Sequence, residues 1–255
     1  MSYTLKTNQR LLPEYTYHLY NRGINGQMIC FQPKNYLFLL RRYAYFTKSY
    51  IDTCAYCLLP NHFHFLVTLK STEAILVAAS STYKIMPKAL LKSILVKRNE
   101  VRDQTGFENL SGLNTKNQIG FQNLSSLDMQ AKSFIASWFV SNQLRLFFGS
   151  YAKAINKQET RTGSLFERPF KRKLVDDKKY MDRLIWYIHR NPLHHGIYTQ
   201  FEQYPYSSYP SLLSEKPTLL QRKKVLAYFG GREAFINFHQ LAGSNWSRLN
   251  QYIIE

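Results

Sequence analysis

The segment Pro60-Asn61-His62-Phe63-His64-Phe65-Leu66-Val67 limits the fold more than any other stretch of the chain. Side chains on a strand alternate faces, so His62 and His64 point one way while Phe63, Phe65 and Val67 point the other. An aromatic row on one face needs an apolar layer against it, which makes this a strand of a half-covered sheet. Residues 52–59 just upstream also read as a strand, and Pro60-Asn61 breaks it, so the two strands form a hairpin.

The rest of the chain supplies partners. Residues 15–21 (YTYHLYN) alternate and are β-prone, with a turn at Arg22-Gly23. Leu37, Leu40, Tyr43 and Ala44 predict a helix over 34–47, with Pro33 near its start. Residues 71–97 are helix-like in parts, interrupted by Pro87. Helical spacing returns over 134–155, where Tyr151 sits among Phe147, Phe148 and Ile155 and reads as core. Residues 170–175 predict a strand, and Asp176-Asp177 caps a helix running to about Arg190. Asn191-Pro192 stops it, because the residue before proline disfavours helical geometry. Residues 204–209 form a Pro/Ser turn region, and 219–229 and 233–241 predict two short helices. The core order β-α-β-β-α-β-α fits an α+β, ferredoxin-like sandwich: an antiparallel sheet with helices on one face, plus a helical C-terminal appendage. The expected divisions are a domain over 1–215, an insertion at about 98–130, and an extension over 216–255. GFENLSGL at 106–113 and GFQNLSSL at 120–127 are a tandem repeat inside that insertion, which reads as a locally duplicated loop.

Charge points to the partner. The chain of 255 residues has 34 Lys+Arg against 16 Asp+Glu, a formal net charge of +18. Such an excess implies a polyanion: nucleic acid, a membrane surface or an acidic protein. Between Arg161 and Arg190 the cations are interleaved with Phe166, Phe170, Tyr180, Trp186 and Tyr187. Cations along a backbone track with rings for base stacking suit single strands. The longest apolar runs, 54–59 and 74–79, fall far short of the ~20 residues of a membrane span. The N-terminus has no apolar leader core, and Cys30, Cys54 and Cys57 cannot make a disulfide framework, so a reducing cytoplasm is expected.

The histidines and one tyrosine carry the chemistry. Two imidazoles rooted about 7 Å apart can converge on one metal ion; two polar residues on a solvent face are the plainer alternative. Cys54-Ala55-Tyr56-Cys57 beside them invites zinc. Cysteines three apart on a strand face opposite sides, however, so buried core thiols are the better account. Downstream, Tyr187 and Asn191 are four apart and share a helix face, with Asn191 at the fraying end. A tyrosine beside a metal can attack a phosphodiester and keep the bond energy in a phosphotyrosine. An amide oxygen can complete a hard metal's shell. Tyr187 can equally be a packing residue, one of 19 tyrosines. Tyr180 lies seven residues earlier on the same face. His189, His194 and His195 crowd the helix end, and His18 on the first strand reads as structural.

PNHFHFLV resembles the HUH motif (histidine, hydrophobic residue, histidine) of single-tyrosine HUH endonucleases. YIHRNPLHHG resembles their nucleophile motif in the Tyr-Ile-x-x-Asn-Pro form, typical of REP-associated tyrosine transposases and related insertion-sequence transposases. YHLYNRG at 17–23, RTGSLFERPFK at 161–171 and YPYSSY at 204–209 fit as flanks, so the resemblance spans most of residues 10–215. It implies a ferredoxin-like fold with both histidines on a central strand. It also implies Mg²⁺ or Mn²⁺ held by His62 and His64, with Asn191 in the third ligand's position. Tyr187 matches the nucleophile that takes the 5′ phosphate and frees a 3′-OH. The implied substrate is single-stranded DNA, often beside a hairpin. The expected DNA contacts are Arg22, Lys171, Arg172, Lys173, Lys178, Lys179, Arg183 and Arg190. No dedicated general base stands out, and neither the insertion nor the tail has a role in the motif set. Two other readings stay open: a non-cleaving hairpin DNA or RNA binder, and a rolling-circle initiator or relaxase with the same chemistry; a two-tyrosine mechanism drawing on Tyr180 is a separate alternative. A monomer suffices if the site forms within one chain; a homodimer is needed if the tyrosine helix swaps to a partner. The expected location is the cytoplasm, at the nucleoid of a bacterial cell.

Overall fold

The computed structural model describes residues 10–83, 85–90, 121–124 and 127–241. The tandem repeat and the 98–130 insertion lie mostly outside these residues. Strand β1 (Thr16–Arg22) leads into a tight turn at Gly23, where a Cβ would meet the Gln27 carbonyl oxygen at 1.9 Å. Helix α1 (Pro33–Thr47) follows, with proline at its first turn and a reciprocal cap between Gln32 and Asn35. The hairpin β2 (Ile51–Leu58) and β3 (His62–Leu69) comes next. Then come α2 (Thr72–Thr82) and the long α3 (Met129–Gln158), where the Asp128 carboxylate accepts from Ala131 N–H at 2.7 Å. The elements β4 (Lys171–Leu174), α4 (Lys178–His194), α5 (Ser208–Leu213), α6 (Arg222–Tyr228) and α7 (Arg232–Leu241) complete the described chain.

The four strands form one sheet in the order β2-β3-β1-β4, every neighbouring pair antiparallel. This is the α+β architecture expected from the element order, with further helices at the C-terminal end, but helices pack on both faces of the sheet and not on one alone. Phe63, Phe65, Val67 and Leu19 face α1, α2 and α3 in one core. Phe65 stacks on Tyr43 of α1 with ring centroids 4.2 Å apart. The helices that precede β4 therefore share one face. Helix α4 lies against the other: its Leu184, Ile185 and Ile188 meet Ala55, Cys57 and Leu66, together with Phe201, Tyr209, Val225 and Phe235.

Three local expectations change. Register slips between Thr53 and Ala55, a β-bulge that turns Cys54 and Ala55 to the same side. Cys54 and Cys57 therefore both face α4 instead of opposite sides, and both are buried free thiols. Helix α4 does not stop before proline: Pro192 lies inside it, and Asn191 is a helical residue with no exposure. Pro192 forfeits only its own N–H, while His195 N–H reaches the Asn191 carbonyl and Ile197 N–H the Pro192 carbonyl. Burial of the last turn outweighs the local preference. Residues 219–221 are not helical; Leu220 bridges Thr53 and Gln221 N–H donates to the Thr53 carbonyl at 2.9 Å.

Phe65 tests the first core. It is 1% exposed, so Phe65→Ala should cost roughly 3–5 kcal/mol of unfolding free energy. Denaturant titration checks this, and a cost below about 1 kcal/mol would deny the stacked packing on Tyr43.

Candidate active site

Strand alternation assembles the site before any helix is added. On the α4 side of the sheet stand His62 and His64 of β3 and, across the register, Tyr20 opposite His64 and His18 opposite Leu66. Lys171 lies opposite Tyr20, and Lys173 opposite His18. Helix α4 then delivers two side chains one turn apart. The Tyr187 ring meets the His64 ring edge-on, with centroids 5.4 Å apart. Asn191 Oδ1 lies 3.0 Å from His62 Nε2. All of this occurs within one chain. Tyr20, Arg22, Asn61, His62, His64, Lys171 and His195 line a pocket of about 60 Å³. A larger groove of about 560 Å³, at the β2 edge beside α1, shares no lining residue with it.

The donor chemistry of the pocket is unusual. The His62 ring has an amide oxygen at each nitrogen: Asn61 Oδ1 at 2.7 Å from Nδ1 and Asn191 Oδ1 at 3.0 Å from Nε2. A neutral imidazole has one N–H. If it is spent on Asn61, two lone pairs face each other across the second contact. Either a cation between them or a half-turn of the Asn191 amide relieves this. His64 has its own open atom: Nδ1 is 2.9 Å from His18 Nε2, while Nε2 is buried with no hydrogen-bond partner. Asn191 Nδ2 is likewise buried without one. If His64 donates from Nδ1 to His18, its Nε2 presents a bare lone pair, the form a metal ligand needs. Among the described residues no three His, Cys, Asp or Glu converge as a metal cluster, so an ion here would take two imidazoles and an amide oxygen. The residues fit a divalent cation on these grounds.

Burial governs the electrostatics. It pushes His18 down to about 3, with Lys173 adding to the effect, and holds His64 well below the ordinary imidazole value, helped by His18, His62 and His195. Burial raises the Cys54 thiol to about 11 and holds the Cys57 thiol well above its ordinary value, so in the metal-free protein both are neutral thiols at neutral pH.

The expected contact residues separate into groups. Arg22 and Lys171 border the pocket and share the Glu167 carboxylate, Lys171 at 3.8 Å and Arg22 through its Nε. Lys173 holds its ammonium 4.1 Å above the Tyr180 ring on the same face. Arg172 lies opposite Leu19, on the other face, above Phe170. Lys178 pairs with Asp182, Lys179 is exposed, and Arg183 Nε donates to the Lys179 carbonyl. Arg190 turns behind α4, over Trp186 and Phe201, and donates to the His239 carbonyl. Burial raises the Tyr180 phenol. Tyr151 is locked in the opposite core, its hydroxyl donating to the Ile29 carbonyl at 2.8 Å. His189 also points away and is buried. His194 stacks on Tyr187, and His195 lies edge-on to His62 with centroids 4.7 Å apart. His18, read from sequence as structural, is the orienting partner of His64. The signal was its position in the Thr16-His18-Tyr20 alternation, which matches the parity of the histidine face.

No family model matches the chain, and no curated protein matches it. Among solved structures it is similar to a REP-associated tyrosine transposase bound to a REP hairpin. The two share 13% identity over 85% of this chain and 89% of that one, with a TM-score of 0.49. Among the described residues no helix is long and apolar enough to cross a membrane.

The buried histidines predict acid sensitivity. Their folded values lie below the unfolded ~6.5, so stability is complete above pH 6.5 and is lost as pH falls toward the folded values. At pH 5, with His18 at about 3 when folded, that residue alone should remove roughly 2 kcal/mol. The Tm should drop between pH 7.5 and 5.0, and His18→Gln should lessen the drop. An equal drop in the variant would show that His18 is not held neutral.

Proposed function

We propose that this chain is a metal-dependent HUH-type nickase or transposase. It would cut and rejoin single-stranded DNA through Tyr187, at sites beside hairpins. One observation supports this above the others: α4 sets Tyr187 against His64 and Asn191 against His62 within a single chain. The motif resemblance assigns the nucleophile and ligand roles to the same four residues. Mg²⁺ or Mn²⁺ held by His62, His64 and Asn191 would polarise the scissile phosphate and stabilise charge in the transition state.

The protein's own part is positioning and charge. Arg22 and Lys171 would neutralise the phosphate entering the pocket. The Tyr187 hydroxyl oxygen attacks phosphorus, forming the Tyr–O–P bond as the bond to the 3′ oxygen breaks. The phenolic proton passes to solvent, and the departing oxygen takes one up as a free 3′-OH. Attack by a 3′-OH on the phosphotyrosine reverses the step and rejoins DNA without an external energy source. His18 keeps the His64 ring oriented throughout. In this reading the site closes within one chain and a monomer would suffice.

Covalent capture on labelled hairpin oligonucleotides from the flanks of the gene tests the proposal. A protein–DNA adduct should form with Mn²⁺ or Mg²⁺, vanish with EDTA, and fall at least a thousandfold in Tyr187→Phe. An adduct surviving that change would move the nucleophile, with Tyr180 next in line. Tight binding with no adduct under any metal would favour a non-cleaving hairpin binder.

A second expectation concerns charge. Lys171→Ala should weaken single-strand binding and reduce the salt slope by about 0.7. Arg172→Ala, on the opposite face, should leave that slope unchanged. Equal effects from both would deny that DNA runs over the histidine face.

A further inference from the structure

Behind α4 runs a buried chain of hydrogen bonds that the site does not use. His239 Nδ1 of α7 donates to the Phe235 carbonyl at 2.8 Å. His239 Nε2 and His189 Nδ1 are 2.8 Å apart, and His189 Nε2 and Ser208 Oγ are also 2.8 Å apart. The chain ends where the Tyr56 backbone N–H of β2 donates to Ser208 Oγ at 2.8 Å. His189, Ser208 and His239 have no exposure. A carbonyl closes one end and an N–H the other, so the polarity runs one way. His239 donates to Phe235 and accepts from His189; His189 accepts from the Ser208 hydroxyl; Ser208 accepts from Tyr56. Every member is satisfied, and reversing one link strands a buried polar group.

We infer that this chain is a brace that sets the rotation of α4, making His239, Ser208 and His189 positioning residues for Tyr187 and Asn191. The inference rests on the proposed role of Tyr187. His189 lies two residues after Tyr187 and two before Asn191, so the helix is gripped between its two site residues from the opposite side. The apolar contacts of Leu184, Ile185 and Ile188 resist separation from the sheet, but they are non-directional and tolerate a roll. Hydrogen bonds weaken steeply when bent. Helical side-chain tips lie about 6 Å from the axis, so a 10° roll moves them about 1 Å. A misplacement of about 1 Å at a reacting group can cost a hundredfold in rate. The brace gives the α7 segment, which has no role in the motif set, a task, and it uses Ser208 of the YPYSSY flank.

The experiment uses the full chain with His239→Leu, His239→Gln and Phe235→Leu. Glutamine can accept from His189 through its oxygen and donate to the Phe235 carbonyl through its nitrogen. Leucine can do neither. Phe235→Leu disturbs the packing around the same cluster but keeps the backbone carbonyl that accepts from His239. At saturating Mn²⁺ and DNA, His239→Leu should slow adduct formation at least tenfold with DNA affinity unchanged within twofold. His239→Gln should stay within threefold of wild type. Amide exchange across residues 186–191 should rise at least tenfold in His239→Leu and not in Phe235→Leu. Wild-type exchange in His239→Leu, a glutamine variant no better than leucine, or equal losses in Phe235→Leu would overturn the brace. If the wild type forms no adduct, the nicking proposal fails while the exchange comparison still decides the brace. If His239→Leu does not fold, Ser208→Ala cuts the same chain at its other end and carries the same expectations.

Discussion

Strand β3 is buried on both faces, and most of the molecule follows from that. All but one of its residues are buried. On one side Phe63, Phe65 and Val67 anchor the core beneath α1 and α3. On the other, burial catches two imidazoles, and a buried polar group needs a partner. His18 serves His64, while the amide oxygens of Asn61 and Asn191 lie at the two ring nitrogens of His62, of which only one carries a proton in the neutral ring. The candidate site is thus the solution to a folding problem as well as a chemical one. The second face cannot close unless an element brings polar groups to the histidines and apolar groups to Leu66 and Cys57. Helix α4 does both, with Leu184 and Ile188 on its apolar flank and Tyr187 and Asn191 beside them.

That solution is incomplete in an informative way. His64 Nε2 and Asn191 Nδ2 stay buried without hydrogen-bond partners. Each such group costs roughly 1–3 kcal/mol, which a domain of ordinary stability does not carry without reason. Both atoms belong to the residues proposed to hold the cation. Behind the same helix, by contrast, the polar chain from Phe235 to Tyr56 is fully satisfied. Arg190 Nε behind α4 is also buried without a hydrogen-bond partner, so what marks the site is that its open atoms sit on two of the residues proposed to hold the cation.

The alternation of His62, Phe63, His64 and Phe65 made the two faces of β3 legible from the sequence, and the four-residue spacing put Tyr187 and Asn191 on one flank. Both are period arguments, and period survives folding. The bulge at Thr53–Ala55 was invisible because a single extra residue in a strand leaves no local signature, yet it changes which way Cys54 points. Proline misled at position 192 because its cost is one N–H near a helix end, small against the burial of Asn191 and Pro192. His18 and His239 were hidden for another reason. Their partners lie 46 and 50 residues away in sequence, and a pairing of that range is set by topology that no local pattern encodes.

The two edges of the sheet show how such constraints combine. An open strand edge invites pairing with another chain. At β2 the protein covers its edge with its own backbone: Leu58 N–H donates to the Tyr206 carbonyl, Cys57 bridges Ser207, and Gln221 N–H donates to the Thr53 carbonyl. This cover ties the C-terminal helices to the sheet and places Ser208 where it can reach His189. At β4 the edge is defended by charge, in the sequence Lys171-Arg172-Lys173. Two like strands would have to bring these cations together, so self-pairing is disfavoured. Alternation turns Lys171 and Lys173 toward the histidine face and Arg172 away from it. Lys171, one of the residues that keep the edge from pairing, therefore also borders the pocket beside Arg22. One short strand both discourages edge pairing and adds positive charge beside the pocket. This accounts for a strand so basic lying beside a core so aromatic.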